Sequence, residues 1–587
     1  MKLPSLTHLL NQLKQVFTRF PLQLVITIAA VAVAFILTDA KAENENFLVK
    51  LLLGCLLAFT SSLAGYLYAQ SRQLTVFASW LIQGFAVLVS SLIVIWLKPF
   101  LWEKDILLLG FFVLCFHLAV SYAAFTRAND VLEFWYFNKT LFLRFLTAAL
   151  YSLVIMLGLF AALGAIGILF DITIKSSTYL KIAAFAGIGF NTLFFLAGVP
   201  DVGKQSHEKG YPKGLKIFTQ FVLIPLMTVY LIILFLYEIK IILAWELPKG
   251  YVSVLILAYA VFGILSLLLV YPIKNLEENK WIGWFSKFFY LMMLPLLVLL
   301  ALAIYKRVSD YGITEERYIL IVLAIWLTGI TFYFLLSKKQ TIKIIPLSLS
   351  LLCILSAIGP QGAASVSKWS QLNRLQRVLK MSHKDQAAET SSIIRYLTSN
   401  HGLVALQPLI QQKTSVIQSS IIEKVTNNNY YQAREQLKDT AFSLLKISEL
   451  KEGYPSGGYR TFKRENEGLL PVLGYGWVHE LENQTEKTIS LEGENLKINT
   501  KTENKVLLTV GNQVLSFNID SVCKAIVGKH KQDPGADIIV PDDEMGIKKE
   551  AGGCFFKIEI ADFSSNWGEN DEKTFIHYKG YLLIGKK

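Results

Sequence analysis

The chain has 587 residues, of which 53% are apolar, 13% aromatic and 17% charged, and its formal net charge is +13. A soluble globular protein carries about 25% charged residues, so much of this chain must lie in lipid. The basic excess falls mainly in residues 1–343, in short stretches between apolar runs. That placement suits anionic lipid and excludes a nucleic-acid partner, which would need a basic stripe on a soluble face.

Residues 1–20 place Leu6, Leu9, Leu10, Leu13, Val16 and Phe17 at helical spacing opposite Lys14 and Arg19, predicting an interfacial amphipathic helix. Pro21–Thr38 follows as a first span. The Ala40-Lys41-Ala42 after it has the small-residue look of a signal-peptide end. The apolar core before it is longer than the roughly 7–15 residues of a signal h-region, so it reads as a retained span. Further apolar runs are Phe47–Ala69, Leu74–Trp96, Ile106–Phe125, Leu141–Phe170, Tyr179–Val199, Leu215–Leu243, Tyr251–Tyr271, Trp284–Tyr305, Tyr318–Leu336 and Ile342–Ile358. Together they predict about eleven transmembrane helices across residues 21–359. Trp80, Trp96, Trp102, Trp135, Trp245, Trp281 and Trp284 mark their ends as an aromatic belt would. Lys and Arg are more frequent in the loops on the N-terminal side. The expected topology therefore puts the N-terminus in the cytoplasm of a bacterial inner membrane and, with an odd span count, the C-terminal module in the periplasm.

After Gly359-Pro360 the hydropathy collapses, and residues 360–452 read as a helical soluble segment with helices near Ser367–Lys380, Ser391–Asn400 and Tyr430–Leu450. Residues 453–587 read as a small β-rich module with strands such as Lys487–Leu491, Lys505–Val510, Gln513–Ile519, Cys554–Ile560 and Thr574–Ile584, and a hairpin turn at Val510-Gly511-Asn512-Gln513. The fold class is thus a polytopic α-helical membrane protein followed by a soluble α+β module.

Three stretches carry a resemblance: Phe137-Asn138-Lys139-Thr140-Leu141-Phe142-Leu143-Arg144-Phe145, Trp245-Glu246-Leu247-Pro248-Lys249-Gly250, and Glu278-Asn279-Lys280-Trp281 leading to Asp310-Tyr311-Gly312-Ile313-Thr314-Glu315. Over roughly residues 20–400 the chain resembles the bacterial membrane family called domain of unknown function 4153, typical of Bacteroidota. The resemblance implies many spans in an inner membrane and no established activity, and it supplies no catalytic residues.

The polar residues inside apolar runs are His117, Asn191, Glu238 and Lys240. Such groups are costly in hydrocarbon, so they mark a pathway or interhelical hydrogen bonds, and His117 and Asn191 are expected to face the bundle interior. Glu238 and Lys240, two residues apart, fall on different helix faces and are not a mutual pair. Trp245, Glu246, Pro248, Lys249 and Gly250 predict a corner at headgroup depth where the chain turns into the next span. Asp171, Asp310, Glu315 and Glu316 read as solvated loop-end acids.

No His-x-x-x-His, Glu-x-x-His or Cys-x-x-Cys pattern occurs among the eight histidines and five cysteines. No catalytic residue, metal site or cofactor is therefore implied. Cys523 and Cys554 both fall in the β-rich module, where an oxidising compartment would let them form a disulfide closing a loop of about thirty residues. The expected role is envelope transport or lipid and envelope assembly, with the bilayer as principal partner and envelope proteins as partners of the C-terminal module. The alternatives are a membrane-anchored scaffold and a membrane-embedded enzyme.

Overall fold

The computed structural model describes residues 14–587 except 41, 128–129, 203–210, 245–250, 275–278, 338–339, 381–385, 425–429, 448–457, 467–469, 471, 482–485, 492–493, 501–504, 512, 531–536, 552, 568–576 and 587. It forms two compact units, Met1–Glu449 and Leu450–Lys587. Of the expected interfacial helix, residues 14–19 are helical and the remainder lies outside the described residues.

Among the described residues of the first unit, ten helices are long and apolar enough to cross a membrane. They are α1 (Pro21–Thr38), α2 (Ala42–Ser71), α3 (Val76–Trp96), α4 (Glu103–Tyr122), α5 (Val131–Phe170), α6 (Ser176–Ala197), α7 (Lys213–Ala244), α8 (Tyr251–Val270), α9 (Lys280–Tyr311) and α10 (Glu315–Leu336). The eleventh expected span is the shorter α11 (Ile344–Ala357), 14 residues, or about 21 Å against a hydrocarbon layer of about 30 Å. It packs on α4, where Ser350 Oγ accepts or donates at 2.9 Å to the Tyr122 hydroxyl and lies 3.3 Å from Cys115 Sγ.

Local chemistry sets several boundaries. Pro21 opens α1, where its missing N–H costs nothing. Asp130 caps α5 by accepting from the amides of Leu132 and Glu133 at 2.8 and 3.0 Å, and Thr75 caps α3 through the amide of Ala78. Gly312, at φ +69°, ends α9 and lets the chain turn into α10 within a few residues. Both α6 and α7 contain a π-helical turn, at Phe185–Phe190 and Phe218–Leu223.

The helices alternate in direction, so polar contacts collect at two ends. At the near end, Arg19 donates to the Val199 and Pro200 carbonyls at 2.6 and 2.7 Å and pairs with Asp201 at 2.9 Å. Arg72 donates to Thr126, and Trp135 Nε1 donates to the Leu268 carbonyl at 2.7 Å. At the far end Lys181 pairs with Asp39, and Asp105 accepts from the amide of Lys98 at 2.8 Å. Beyond α11 the chain forms α12 (Ala363–Val378), α13 (Gln386–His401), α14 (Thr414–Lys424) and α15 (Tyr430–Leu445). Their apolar faces, including Leu375, Ile394, Leu397 and Leu437, close over Leu101 and Trp102 of the α3–α4 connection.

The second unit holds β1 (Gly458–Arg464), β2 (Trp477–Leu481), β3 (Glu486–Leu491), β4 (Glu494–Asn499), β5 (Lys505–Val510), β6 (Gln513–Asn518), α16 (Ile519–Lys529), β7 (Asp537–Val540), β8 (Gly546–Ala551), β9 (Cys554–Trp567) and β10 (His577–Lys586). One sheet runs β2-β10-β9-β1-β7 with β8 on β9, the β1/β7 pair being parallel; the other is the antiparallel meander β3-β4-β5-β6. Val510 pairs with Gln513 across a two-residue turn in which Gly511 has φ +55°. Both sheets and α16 contribute to one core, with Phe462 and Phe563 stacked at 4.6 Å. Cys523 and Cys554 are free thiols, so the expected disulfide is not formed. Cys523 lies on the inner face of α16 in that core, where burial pushes its thiol up, and Cys554 begins β9 at the core's edge.

Two outcomes follow from this packing. A Cβ at Gly263 would lie 2.0 Å from the ring of buried Phe289, so Gly263→Ala is expected to destabilise the bundle by about 1–3 kcal/mol, read as a lower melting temperature in detergent. In the second unit, hydrogen bonds from Asn466 and then from Arg464 hold the Asp542 carboxyl below its ordinary range. A depressed folded-state pKa contributes stability above the unfolded value of about 3.9 and loses it as pH falls through that value and below. Hydrogen exchange of β1 amides in the intact protein should rise with acidification at a higher pH in Asn466→Ala than in the parent.

Candidate functional site

The residues singled out as intramembrane polar groups do not assemble. His117 is exposed, and its ring Nδ1 lies 2.7 Å from the Val113 carbonyl one turn earlier. The expectation that it faces the interior is therefore not met: a carbonyl of its own helix satisfies the ring and lets it sit outward. Asn191 follows the π-helical turn of α6, half-buried, with Oδ1 enclosed and without a hydrogen-bond partner among the described residues. Glu238 is half-buried with Oε2 likewise enclosed, and Lys240 is exposed. No hydrogen bond or ion pair joins these four among the described residues. Trp245, Glu246, Pro248, Lys249 and Gly250 lie outside the described residues.

Instead, the polar chemistry gathers in two places carried by two of the stretches quoted for the resemblance. The first is an open cavity of about 500 Å3 at the near end, lined by Lys139, Thr140, Leu143, Arg144 and Thr147 of α5 with Tyr211 and Pro212 leading into α7. Helical spacing explains the lining, because positions 140, 143, 144 and 147 fall on one stripe of α5. Lys139 is 9% exposed, and its ammonium sits 5.2 Å from the Tyr136 ring centroid and 5.9 Å from that of Trp135, within cation–π reach. Trp135 stacks on Tyr211 at 5.7 Å, and the two are pinned through Leu268 and Leu269 carbonyls at the end of α8. Arg144 is exposed, and its stem crosses Gly198 so closely that a Cβ there would lie 2.3 Å from Cδ. Thr140 and Thr147 donate to carbonyls of their own helix at 2.8 and 2.9 Å. Two cations, an aromatic wall and open space suit an anionic group.

The second place is closed. Glu315, read from the sequence as a solvated loop-end acid, is 3% exposed at the start of α10. The correction has a cause the sequence could not display: α12 and α13 return over it. Ser367 Oγ donates to Glu315 Oε1 at 2.7 Å, His401 Nε2 lies 3.1 Å from the same oxygen, and the Tyr396 hydroxyl donates to Oε2. Burial, and the Glu315 carboxylate beside it, push the Tyr396 phenol up, so it stays a protonated donor. Around this core Gln371 Nε2 donates to the Tyr311 and Ile313 carbonyls at 2.9 and 3.1 Å, and Arg374 bridges Tyr311 and Glu389. Serine, histidine and glutamate are thus adjacent, but Nε2 of His401 addresses both Ser367, at 3.4 Å, and Glu315. A nucleophile relay needs the two ring nitrogens on different partners, so this cluster fastens the helical segment to α10.

Among the described residues no three His, Cys, Asp or Glu side chains converge to hold a metal ion. Of the cavity's cations, Lys139 precedes the apolar run Leu141–Phe170 and Arg144 lies at its start, where both read as ordinary ends of a span, and Tyr211 carried no signal. For the closed cluster, Glu315→Ala should leave His401 and the two hydroxyls without their acceptor and cost about 3–5 kcal/mol, whereas Tyr396→Phe should cost about 1–3 kcal/mol. Limited proteolysis should cut residues 363–447 of Glu315→Ala fastest, Tyr396→Phe next and the parent slowest.

Comparison with known proteins places this geometry. The family model described as "Domain of unknown function (DUF4153)" matches residues 25–388, which include Lys139, Arg144, Glu315 and Ser367 but not Tyr396, His401 or the β-rich unit. The uncharacterized protein PM1469 of Pasteurella multocida (strain Pm70) is 29% identical over 238 residues, covering 40% of this chain and 40% of that protein. No solved structure matches the chain. With more than half of its length matched, the chain belongs to the DUF4153 family, a membrane-protein family of unknown function.

Proposed function

We propose that this protein is a multi-pass component of the bacterial cytoplasmic membrane that handles anionic lipid during envelope transport or assembly, taking the phosphate headgroup into the near-end cavity. The observation that carries this reading is the enclosure of the Lys139 ammonium by Trp135 and Tyr136 beside the open, Arg144-lined space. Ionisable groups at membrane depth are costly and mark ligand pathways, and basic pockets between membrane helices suit anionic headgroups.

The near-end loops carry Arg19, Arg72, Arg127, Lys213, Lys274 and Lys343, which supports placing this end in the cytoplasm and the far end in the periplasm. The β-rich unit offers its partners an edge strand, β2, with Trp477 and Val478 exposed. That feature favours envelope proteins as further partners and keeps the scaffold reading as the second one.

Native mass spectrometry of the intact protein in detergent, titrated with phosphatidylglycerol or phosphatidylcholine, tests the lipid reading. Phosphatidylglycerol should bind in preference, and Lys139→Met and Arg144→Gln should each weaken it about fivefold, the effect of roughly 1 kcal/mol per basic group. Equal retention of the two lipids, unchanged by either substitution, would overturn it.

A further inference from the structure

The far-end half of the bundle contains a second cavity that shares no residue with the first. It is a groove of about 420 Å3 between α1, α2 and α3, walled by Val25, Ala29, Gly54, Cys55, Ala58 and Val94 among others, with Lys50 as its charged member. The size lies within the range of about 300–1,000 Å3 usual for ligand pockets. It exists because small residues face one another: Gly54 has no neighbour closer than Val94 Cγ2, at 4.0 Å from where a Cβ would stand. Ala29 and Ala58 leave further room.

Lys50 is half-buried, and Lys98 and Asp105 are the charged groups that act on it. Asp105 is already engaged by the Lys98 amide at 2.8 Å and the Lys104 ammonium at 2.9 Å. The Lys50 ammonium therefore stands at the groove's polar end, and among the described residues no carboxylate forms an ion pair with it. A partner helix laid in the groove would bury Lys50 against apolar side chains, at the cost of an uncompensated charge. A phospholipid supplies a chain for the groove and a phosphate for the Lys50 ammonium. We infer that this groove is a phospholipid site, holding one acyl chain against Gly54 and Ala58 with its phosphate at Lys50.

The position of Cys55 on the groove wall, as a half-buried free thiol, provides the probe. The intact protein in detergent is alkylated with N-ethylmaleimide and the Cys55 peptide quantified by mass spectrometry, with dioleoyl phosphatidylglycerol, inorganic phosphate or detergent alone present. Phosphatidylglycerol should slow alkylation of Cys55 and inorganic phosphate should not. Lys50→Met, which places an apolar side chain at membrane depth and so leaves folding intact, should raise the lipid concentration needed about fivefold. Gly54→Leu, which fills the groove, should remove one bound phospholipid in native mass spectrometry, while Gly158→Leu on the open face of α5 should not. Protection by phosphate alone, no protection by lipid, or protection unaltered in Lys50→Met would overturn the inference. Lys139→Met should leave Cys55 protection unchanged, so the groove and the near-end cavity stand or fall separately.

Discussion

A hydrocarbon layer about 30 Å thick offers no water to a peptide group, so every backbone donor and acceptor within it must be satisfied by the helix that carries it. The same shortage governs the side chains of this bundle. Hydroxyls within the spans mostly donate to a carbonyl of their own helix, as Thr60, Ser91, Thr228 and Ser266 do. Where polar groups cross between helices they gather in small sets: Gln23 Nε2 donates to Ser62 and Gln83, and Ser61 lies 2.8 Å from Ser90. Charge is pushed toward the two ends, and that is where the chemistry of this protein has to reside.

The two ends use charge in opposite ways. At Glu315 the donors converge on one carboxylate until no acceptor capacity faces open space, and the result is a fastening whose removal exposes a buried charge. At Lys139 and Arg144 the cations border a cavity, and the neighbouring polar groups are committed elsewhere: Thr140 and Thr147 to their own helix, Trp135 and Tyr211 to α8. A closed cluster resists change and an open one accepts a ligand. This asymmetry separates the closed Glu315 cluster, which fastens two parts of the fold, from the open Lys139 cavity, where a ligand is proposed.

The spans were legible because length and apolarity alone define them, and ten of the runs read from the sequence are helices of membrane length. Orientation about the helix axis was not legible in the same way. Hydropathy places His117 at depth, yet only packing decides that it points outward, since α4 has nearly uniform apolarity around its circumference. Glu315 was misread because its burial depends on Ser367, Tyr396 and His401, which lie 52 to 86 positions further along the chain. In the second unit, the hairpin at Gly511 was plain from its turn chemistry. Helix α16 went unread although Ile519, Cys523, Ile526 and Val527 fall at helical spacing, because they follow directly on a β-rich run and share its composition.

The distribution of lysines within the spans carries the last step. A charged side chain at the centre of a membrane helix costs about 2.5–3.5 kcal/mol by insertion scales, and less toward the ends, where a long stem reaches water. Lys240 is exposed near the end of α7 and can relieve that cost by reaching outward. Lys139 cannot do so as freely, because it is buried eight positions into α5 against two aromatic rings, and Lys50 sits eight positions into α2 on the wall of a groove. The rings offset part of the cost at Lys139, since a desolvated cation–π contact contributes about 2 kcal/mol. Lys50 has apolar neighbours instead, and of the charged groups that act on it Asp105 is engaged by the Lys98 amide and the Lys104 ammonium. A lipid phosphate, the ligand proposed for both sites, would lower the cost at each, and in a membrane it is the negative group always within reach.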